Sequence, residues 1–305
     1  MPNQINCPLC GHLKTEVLFN VRDQIRDTDI EYQLARCPSC RLVFLDPRPS
    51  HEELALAYQS EYRTWQSGDS PSRLNAAIAK TGYRRKLKFI GPVSGTGTLL
   101  DVGCGDGGFI LQAKRLGWAV TGTEFNDDQA GAVADSTGCE VRSGDLEDCG
   151  FRDGQLEAVT LWHVLEHVED PVGTLRETRR LLCQGGRLYV TVPDSACWGA
   201  KLFGRYWAGY DAPRHLCDFN KETLRMALVK AGFEDVKMHY FMGTWGLFKI
   251  SLEFVIADRV RSPRARQALE ALVDNPMTAV LVAPVMMALQ RLGSGCVITA
   301  VAVKR

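Results

Sequence analysis

The sequence predicts an α/β protein whose centre is a Rossmann-like sheet. Three observations support this prediction. An apolar strand at residues 99–102 runs into a glycine-rich turn and then into a helix. Further apolar strands and amphipathic helices alternate up to about residue 240, which is the pattern of a parallel sheet. Acidic residues stand at the ends of several of these strands.

The composition is that of an ordinary globular protein. The chain has 305 residues, with 36 basic and 36 acidic side chains, and 45% of its residues are hydrophobic. A neutral net charge gives no support for a large nucleic-acid footprint. The first residues lack the basic and apolar pattern of a signal peptide, and no apolar stretch reaches the length of a membrane span. The odd count of 11 cysteines, most of them isolated, favours a reducing, cytoplasmic setting.

Two C-P-x-C motifs open the chain, and they predict a metal site in a small zinc ribbon over residues 1–50. Each C-x-x-C turn aims two thiolates at one ion, so that Cys7, Cys10, Cys37 and Cys40 complete a tetrahedral zinc shell. A redox pair or a disulfide is the alternative, but a redox site would use one C-x-x-C within a βαβ unit. Because the protein fills all four positions, the Zn²⁺ ion is predicted to be structural.

Residues 51–95 are predicted to form a helical linker or lid. Ser50 and Glu53 have the spacing of a capping box, which predicts that a helix follows. Residues 61–71 are polar and predict a loop or a mobile lid, and a basic helix follows over 73–90. That helix has two interpretations: a solvated basic face above a buried apolar stripe, or a contact with an anionic substrate.

The turn after the first strand of the α/β region predicts a ligand site. Gly103, Gly105 and Gly108 satisfy G-x-G-x-x-G, a dinucleotide motif that is weak on its own. Glycines there let a ligand reach the backbone N–H groups at the helix start. Asp101 precedes them, and a carboxylate suits an ammonium group better than a pyrophosphate. The string D-V-G-C-G-D-G over 101–107 resembles the first motif of class I S-adenosylmethionine-dependent methyltransferases.

The resemblance extends over residues 99–233 and implies a seven-stranded methyltransferase sheet, here over 96–240 and completed by a strand at 295–305. It implies that an acidic strand end and the glycine turn hold the methionine end of S-adenosyl-L-methionine. Glu124 ends the second strand, at the spacing from the first at which a carboxylate meets ribose hydroxyls. For Asp145, a turn-capping role is the alternative to the adenine contact that the resemblance implies. The residues assigned to the cofactor are Asp101, Gly103, Gly105, Glu124, Phe125 beside the ribose or adenine, Asp145 and Leu146 at the adenine, and His163.

The segment after the fourth strand carries a second ambiguous motif. His163-Val164-Leu165-Glu166-His167 matches the H-x-x-E-H motif of zinc proteases, which requires a long helix. Pro171 follows too closely for such a helix. The same letters resemble the L-E-H-x-x-D-P signature of the methyltransferases, where this loop lines the cofactor cleft. This places His163 at the cleft and makes Glu166 and His167 partners that fix the loop.

Residues 195–220 combine aromatic and polar side chains in a loop after the fifth strand, which is predicted to face the cofactor cleft. Within it, residues 211–216 resemble a D-x-P-R-H-L segment of bacterial small-molecule methyltransferases. His215 is the candidate catalytic base for an acceptor hydroxyl or amine, and Asp211 would orient it. Arg214 is the candidate partner of an anionic substrate group. The alternative is that His215 and Arg214 only brace the loop.

A helical insertion over 241–294 separates the last two predicted strands. Its helices are predicted over 245–258, 262–274 and 277–291. The segment 277–289 is apolar, but it is too short and too interrupted by proline to span a bilayer easily. A buried helix, a homodimer face and a membrane-surface contact remain as interpretations, with burial as the default.

These observations lead to one hypothesis and three alternatives. The hypothesis is methyl transfer from S-adenosylmethionine to a small-molecule or sugar-like acceptor, with oxygen as the expected acceptor atom. The first alternative is an RNA base methyltransferase that holds RNA on its ribbon. The second is a non-catalytic binding protein on the same fold. The third is an oxidoreductase that binds NAD at the glycine turn.

Overall fold

The computed structural model describes residues 5–26, 30–58 and 73–305. The chain divides into two compact units. The first unit comprises Met1–Trp65, Val192–Leu224 and Met238–Thr299, and the second comprises Gln66–Thr191, Arg225–Lys237 and Ala300–Arg305. The domain bounds predicted from the sequence, 1–50, 51–95, 96–240 and 241–294, stay predictions. The predicted loop at 61–71 lies outside the described residues.

Four short strands form an antiparallel sheet in the first unit. They are β1 (Glu16–Arg22), β2 (Glu31–Arg36), β3 (Val43–Leu45) and β9 (Cys217–Asp218), in the order β1-β2-β3-β9. The edge strand β9 places Asp218 opposite Val43 and Cys217 opposite Phe44. The predicted ribbon therefore has a fourth strand, which comes from a distant part of the chain.

Helix α1 (His51–Ala57) begins as the sequence predicts. The Ser50 hydroxyl accepts from the backbone N–H of Glu53 at 3.2 Å, and the Glu53 carboxylate accepts from the backbone N–H of Ser50 at 2.7 Å. The capping box is confirmed, and it satisfies two backbone donors at the start of this helix.

The first unit contains an aromatic core and several helices besides α1. Trp207 and Tyr210 pack edge to face, with ring centroids 4.8 Å apart, in a buried cluster that includes Val21 and Leu34 of the ribbon. The helices are α6 (Trp198–Phe203), two 3₁₀ turns (Gly204–Tyr206 and Ala208–Tyr210), α8 (Thr244–Arg259), α9 (Pro263–Asp274) and α10 (Pro276–Arg291). Helices α8, α9 and α10 confirm the three helices predicted for the insertion.

The three helices of the insertion have between 12 and 16 residues each. Among the described residues, no single helix is long and apolar enough to cross a bilayer. The helices α9 and α10 meet that criterion only when they are taken together, and a bend of 59° separates them.

Seven strands form the second sheet, in the order β10-β11-β8-β7-β4-β5-β6. Strands β8, β7, β4, β5 and β6 pair in parallel. Strand β11 runs antiparallel to β8, because backbone hydrogen bonds join Lys304 to Gly186 at one end and Asp194 to Cys296 at the other. The α/β class and the seven-stranded Rossmann-like sheet are confirmed. The strands are β4 (Thr98–Val102), β5 (Ala119–Glu124), β6 (Glu140–Ser143), β7 (Leu156–Trp162), β8 (Leu182–Pro193), β10 (Glu234–His239) and β11 (Val297–Val303).

One helix end differs from its prediction. The sequence at 184–186 predicts a glycine C-cap, but the helix before it ends at Leu181 and Leu182 is already extended. Gly185 and Gly186 lie inside β8, and Gly185 adopts a φ of +79° there. Gly185 therefore allows an irregular backbone conformation within a strand and does not cap a helix. The helices around the sheet are α2 (Arg73–Ile90), α3 (Gly108–Arg115), α4 (Asp127–Thr137), α5 (Pro171–Leu181) and α7 (Lys221–Lys230).

Candidate functional site

Four predicted site residues lie at the carboxyl ends of neighbouring parallel strands. Asp101 lies in β4, Glu124 ends β5, Asp145 follows β6 and His163 follows β7. The strand order β7-β4-β5-β6 and the register of the pairs bring these ends to one edge of the sheet. Open α/β sheets bind their ligands outside this edge.

The glycine turn between β4 and α3 leaves open space beside its backbone. A Cβ built on Gly105 would meet nothing within 4 Å, and φ is +57° there. The Gly105 N–H donates to Glu124 Oε2 at 3.0 Å, and Glu124 Oε1 accepts from the N–H of Phe125 at 3.1 Å. At Gly103 the opposite holds, because a Cβ would lie 2.8 Å from the side chain of Val164. The turn therefore fixes the Glu124 carboxylate and stays accessible at Gly105.

The Asp101 carboxylate is buried, with 2% of the residue exposed. It accepts a hydrogen bond from the Thr160 hydroxyl of β7 at 2.5 Å. Burial raises the pKa of Asp101 to about 7, against the lowering effects of the Thr160 hydrogen bond and the Lys86 ammonium. Asp101 therefore changes charge close to neutral pH, and a cationic ligand group would favour its ionised form.

Lys86 of α2 is a site residue that the sequence pattern does not single out among the basic residues of this helix. Its Nζ lies 4.8 Å from the centroid of the Trp162 ring and 5.9 Å from that of Phe109. Desolvation lowers the pKa of Lys86, and the carboxylates of Asp101 and Asp106 oppose that effect. Helical spacing is the sequence signal that could have identified Lys86, because it places this residue on one stripe of α2 with the buried Leu87 and Ile90.

Tyr83, one turn earlier in α2, packs on the glycine turn. Its hydroxyl donates to Asp106 Oδ2 at 2.6 Å. A Cβ on Gly108 would lie 2.3 Å from the Tyr83 ring, so the close contact depends on glycine. Helix α2 therefore supplies Tyr83 and Lys86 to the same edge of the sheet as Asp101.

His163 has a φ of +60°, a left-handed conformation that is uncommon outside glycine. Its N–H donates to the Thr191 carbonyl at 2.9 Å, and its Nδ1 lies 3.1 Å from Glu166 Oε1. Residues 163–167 form a turn and not a helix, so the protease interpretation of H-x-x-E-H is wrong. The preceding Trp162 is buried, and the described residues provide no acceptor for its Nε1.

The three residues predicted to lie near the ribose or adenine of the cofactor differ in exposure. Phe125 has 77% of its surface exposed directly after β5. Asp145 is exposed, and its carbonyl accepts from the N–H of Asp148 at 3.0 Å, which forms a turn. Leu146 is buried next to it. The structure therefore offers one exposed ring and one carboxylate at the ends of β5 and β6.

The predicted catalytic residues lie in the first unit. The Nδ1 of His215 is 2.7 Å from the Gly209 carbonyl, and its Nε2 is 3.9 Å from Asp211 Oδ2. Because a carbonyl only accepts, Nδ1 carries the proton in neutral His215 and Nε2 is the basic nitrogen. Asp211 also accepts from Arg214 at 2.7 Å and 3.0 Å.

Arg214 is completely buried. It forms two hydrogen bonds to Asp23, at 2.8 Å and 2.9 Å, and one to the Ala57 carbonyl at 3.3 Å, besides those to Asp211. These contacts use all five of its N–H donors. Arg214 is therefore a brace within the first unit, and the interpretation of this side chain as an anion-binding group is wrong.

Four cysteines come together in the ribbon. The Sγ atoms of Cys7, Cys10, Cys37 and Cys40 all lie within 4.8 Å of one another, and all are free thiols. Two equivalent turns present them: the Gly11 N–H donates to the Cys7 carbonyl at 2.8 Å, and the Arg41 N–H donates to the Cys37 carbonyl at 2.9 Å. Four sulfur ligands in this arrangement suit a closed tetrahedral zinc site.

A family model described as a methyltransferase domain matches residues 73–238. The ubiquinone biosynthesis O-methyltransferase of Ruegeria sp. (strain TM1040) is 33% identical over 201 residues, which cover 60% of this chain and 79% of that protein. The protein of the same name from Xanthomonas oryzae pv. oryzae is 33% identical over 134 residues, which cover 40% of this chain and 56% of that protein. An uncharacterized 37.1 kDa protein in a transposon of Streptomyces fradiae is 33% identical over 102 residues, 31% of this chain and 30% of that protein. The chain thus spans about half or less of the length of the last two.

Two solved structures show the same fold. A S-adenosylmethionine-dependent methyltransferase from Archaeoglobus fulgidus has a TM-score of 0.52 at 20% identity, over 80% of this chain and 99% of that one. Phosphoethanolamine N-methyltransferase 2 of Haemonchus contortus, solved with S-adenosyl-L-methionine, has a TM-score of 0.53 at 16% identity, over 94% of this chain and 71% of that one. At these identities the likeness concerns the fold alone.

Proposed function

Since this chain belongs to the methyltransferase domain family, we propose that it transfers the methyl group of S-adenosylmethionine to a small-molecule acceptor. The observation that supports this most directly is the set of charges at the sheet edge. One ammonium, on Lys86, lies near a buried carboxylate, Asp101, beside an open glycine turn. An amino-acid tail carries one charge of each sign, so this pair is its electrostatic complement.

The residues around the turn fit each part of the cofactor. Asp101 accepts from the amino group of the methionine tail, and Lys86 pairs with its carboxylate. The open space at Gly105 admits the tail against the backbone. The Trp162 Nε1, a buried donor without an acceptor in the described chain, offers a further hydrogen bond at this end.

Residues at the ends of the neighbouring strands bind the nucleoside end of the cofactor. Glu124, whose carboxylate is held by two backbone N–H groups, accepts from the ribose hydroxyls. The exposed Phe125 ring and the buried Leu146 flank the adenine, and Asp145 accepts from its amino group. His163 lines the cleft at the end of β7 in a conformation fixed by Glu166.

The bound cofactor supplies an electrophilic methyl group on a sulfonium, and the chain supplies position and a base. Holding the acceptor in line with the methyl group contributes much of the rate. His215 takes the acceptor proton on Nε2, because Nδ1 donates to the Gly209 carbonyl. Asp211 stabilises the imidazolium that forms, at 3.9 Å. Oxygen is the acceptor atom favoured by the names of two of the relatives, the ubiquinone biosynthesis O-methyltransferases.

The ribbon serves a structural role in this proposal. Its four cysteines hold Zn²⁺ with no open coordination position, so the ion stabilises the fold and takes no part in transfer. The charges of the ribbon also argue against the RNA alternative. Arg36 pairs with Glu16 at 2.8 Å and Arg22 pairs with Asp258 at 3.4 Å, so these cations have acidic neighbours.

Calorimetric titration tests the cofactor assignment. Lys86→Met is expected to weaken S-adenosylmethionine binding by roughly tenfold or more, because a charged hydrogen bond is lost. It should leave 5′-methylthioadenosine binding unchanged, since that ligand lacks the amino-acid tail. Lys88→Met, which changes an exposed lysine of the same helix, is the matched control. Absence of S-adenosylmethionine binding by the zinc-loaded wild type would overturn the proposed function.

A further inference from the structure

The outward face of α10 is apolar along its whole length. Exposed residues recur every three to four positions, as expected for one side of a helix. The five largest of them have between 58% and 80% of their surface exposed. We call this set the α10 face, and it consists of Met277, Val280, Leu281, Pro284, Val285, Ala288 and Leu292.

This face is the reverse of an ordinary surface helix. A helix on a soluble domain buries an apolar stripe and presents polar residues to water. The α10 helix buries Met286 and yet carries no charged residue before Arg291. A continuous exposed apolar strip of this kind marks an interaction surface.

The charged residues that flank α10 in the chain are mostly positive. Residues 259–292 contain five arginines and two carboxylates. Both carboxylates are already paired inside the unit, Glu270 with Arg266 at 2.8 Å and Asp274 with Lys249 at 2.6 Å. Among the described residues, Arg261, Arg264 and Arg291 have no ion pair, and all three are exposed. The apolar strip therefore has uncompensated cations before and after it in the chain.

We propose that the helical insertion docks on the surface of an anionic lipid bilayer through the α10 face. The apolar side chains enter the boundary between headgroups and acyl chains, and Arg261, Arg264 and Arg291 meet lipid phosphates. The helix lies along the surface. The 59° bend between α9 and α10 disfavours a straight crossing, although their combined length and hydropathy would suffice for one.

Charge also decides between a bilayer and a second copy of this chain. A twofold interface places the same patch against itself, so each arginine would face the like charges of its counterpart. The carboxylates that could relieve this repulsion, Glu270 and Asp274, are engaged with other partners. An anionic membrane offers the opposite sign over the whole patch.

Vesicle co-sedimentation of the full chain tests the proposal. Wild type is expected to pellet with vesicles of phosphatidylcholine mixed with phosphatidylglycerol, and less with phosphatidylcholine alone. The double variant Val280→Glu/Leu281→Glu should lose at least roughly tenfold in partitioning, because two exposed apolar side chains are removed. The control Leu116→Glu/Val229→Glu, which changes two similarly exposed residues outside the insertion, should bind as wild type does.

The charge component has its own variant. Arg261→Gln/Arg264→Gln should weaken binding to the anionic vesicles by roughly fivefold per arginine, with no effect on neutral vesicles. Equal circular dichroism melting curves establish that each variant is folded. Wild type that stays in the supernatant would overturn the proposal. So would a dimer in light scattering that Val280→Glu/Leu281→Glu converts to a monomer without any vesicle binding, since a second copy would then be the occupant.

Discussion

Asp101 and Lys86 are two desolvated groups of opposite charge within one cluster. Removal from water raises the pKa of Asp101 and lowers that of Lys86, so burial favours the neutral form of each. The charge of each group opposes this effect on the other. A zwitterionic ligand would supply a second partner for both groups, and it would therefore stabilise the charged forms on which its own binding depends.

This arrangement predicts a pH dependence of cofactor binding. The ammonium of S-adenosylmethionine needs ionised Asp101, whose pKa is about 7. Affinity should therefore fall by up to roughly tenfold for each pH unit below 7. It should fall again above about pH 8, where the α-amino group of the ligand loses its proton. Titrations across this range measure the slope. Asp101→Asn should bind weakly and without this slope, and an unchanged slope in that variant would contradict the assignment.

A second prediction at this scale concerns Arg214. Arg214→Met leaves the carboxylates of Asp23 and Asp211 buried without their main partner, and it should lower the free energy of unfolding by about 3–5 kcal/mol. Arg36→Met removes the exposed pair with Glu16 and should cost less than about 1 kcal/mol. Urea unfolding of both variants measures the difference. Similar losses in the two variants would contradict the bracing role.

At the scale of elements, local patterns gave the strands, the capping box and the glycine turn, because each depends on neighbours in sequence. The same patterns failed where a distant contact decides the outcome. The turn at Gly185 became part of β8 because Lys304 pairs with it. The basic residues of α2 leave both a solvated face and an anionic contact open, since nothing local shows that Lys86 lies beside Trp162 and Phe109. The segment at 217–218 pairs with β3 for the same kind of reason.

The contact between α2 and the glycine turn gives a prediction at this scale. Gly108→Ala places a methyl group 2.3 Å from the Tyr83 ring and should destabilise the fold by about 1–3 kcal/mol. It should also weaken S-adenosylmethionine binding, because Tyr83 and Lys86 share the helix that must shift. Adding Tyr83→Ala should recover part of the lost stability.

The matched control is Gly131→Ala in α4. A Cβ there meets nothing within 4 Å, so the helix should become more stable by about 0.5–1 kcal/mol. Thermal melting and calorimetry compare the two variants. Equal behaviour of Gly108→Ala and Gly131→Ala would show that Tyr83 does not restrain the turn.

At the scale of the whole molecule, the first unit is assembled from three separate stretches of the chain. Its ribbon has a closed set of four thiols at one site and an edge strand, β9, from beyond residue 200. The cysteine cluster and the edge strand therefore both belong to the same small ribbon. The seven-stranded sheet likewise includes the final strand, β11, which follows the helical insertion.

Zinc removal gives a prediction for this unit. Cys10→Ser should reduce the bound zinc below about one ion per chain and lower the free energy of unfolding by more than about 3 kcal/mol. Cys183→Ser, which lies outside the cluster, should change neither quantity. Metal analysis and melting with and without a chelator provide the measurements. A zinc-free wild type with an unchanged melting temperature would refute the metal assignment.

The pairing of β3 with β9 has a consequence for synthesis on the ribosome. Strands β1 to β3 are translated before the parallel sheet, but their edge strand β9 follows most of that sheet. The insertion that belongs to the same unit comes later still. Until then the nascent ribbon presents an unpaired strand edge, which is a site for pairing with other chains. Early capture of Zn²⁺ by the two cysteine turns would protect this segment while translation continues.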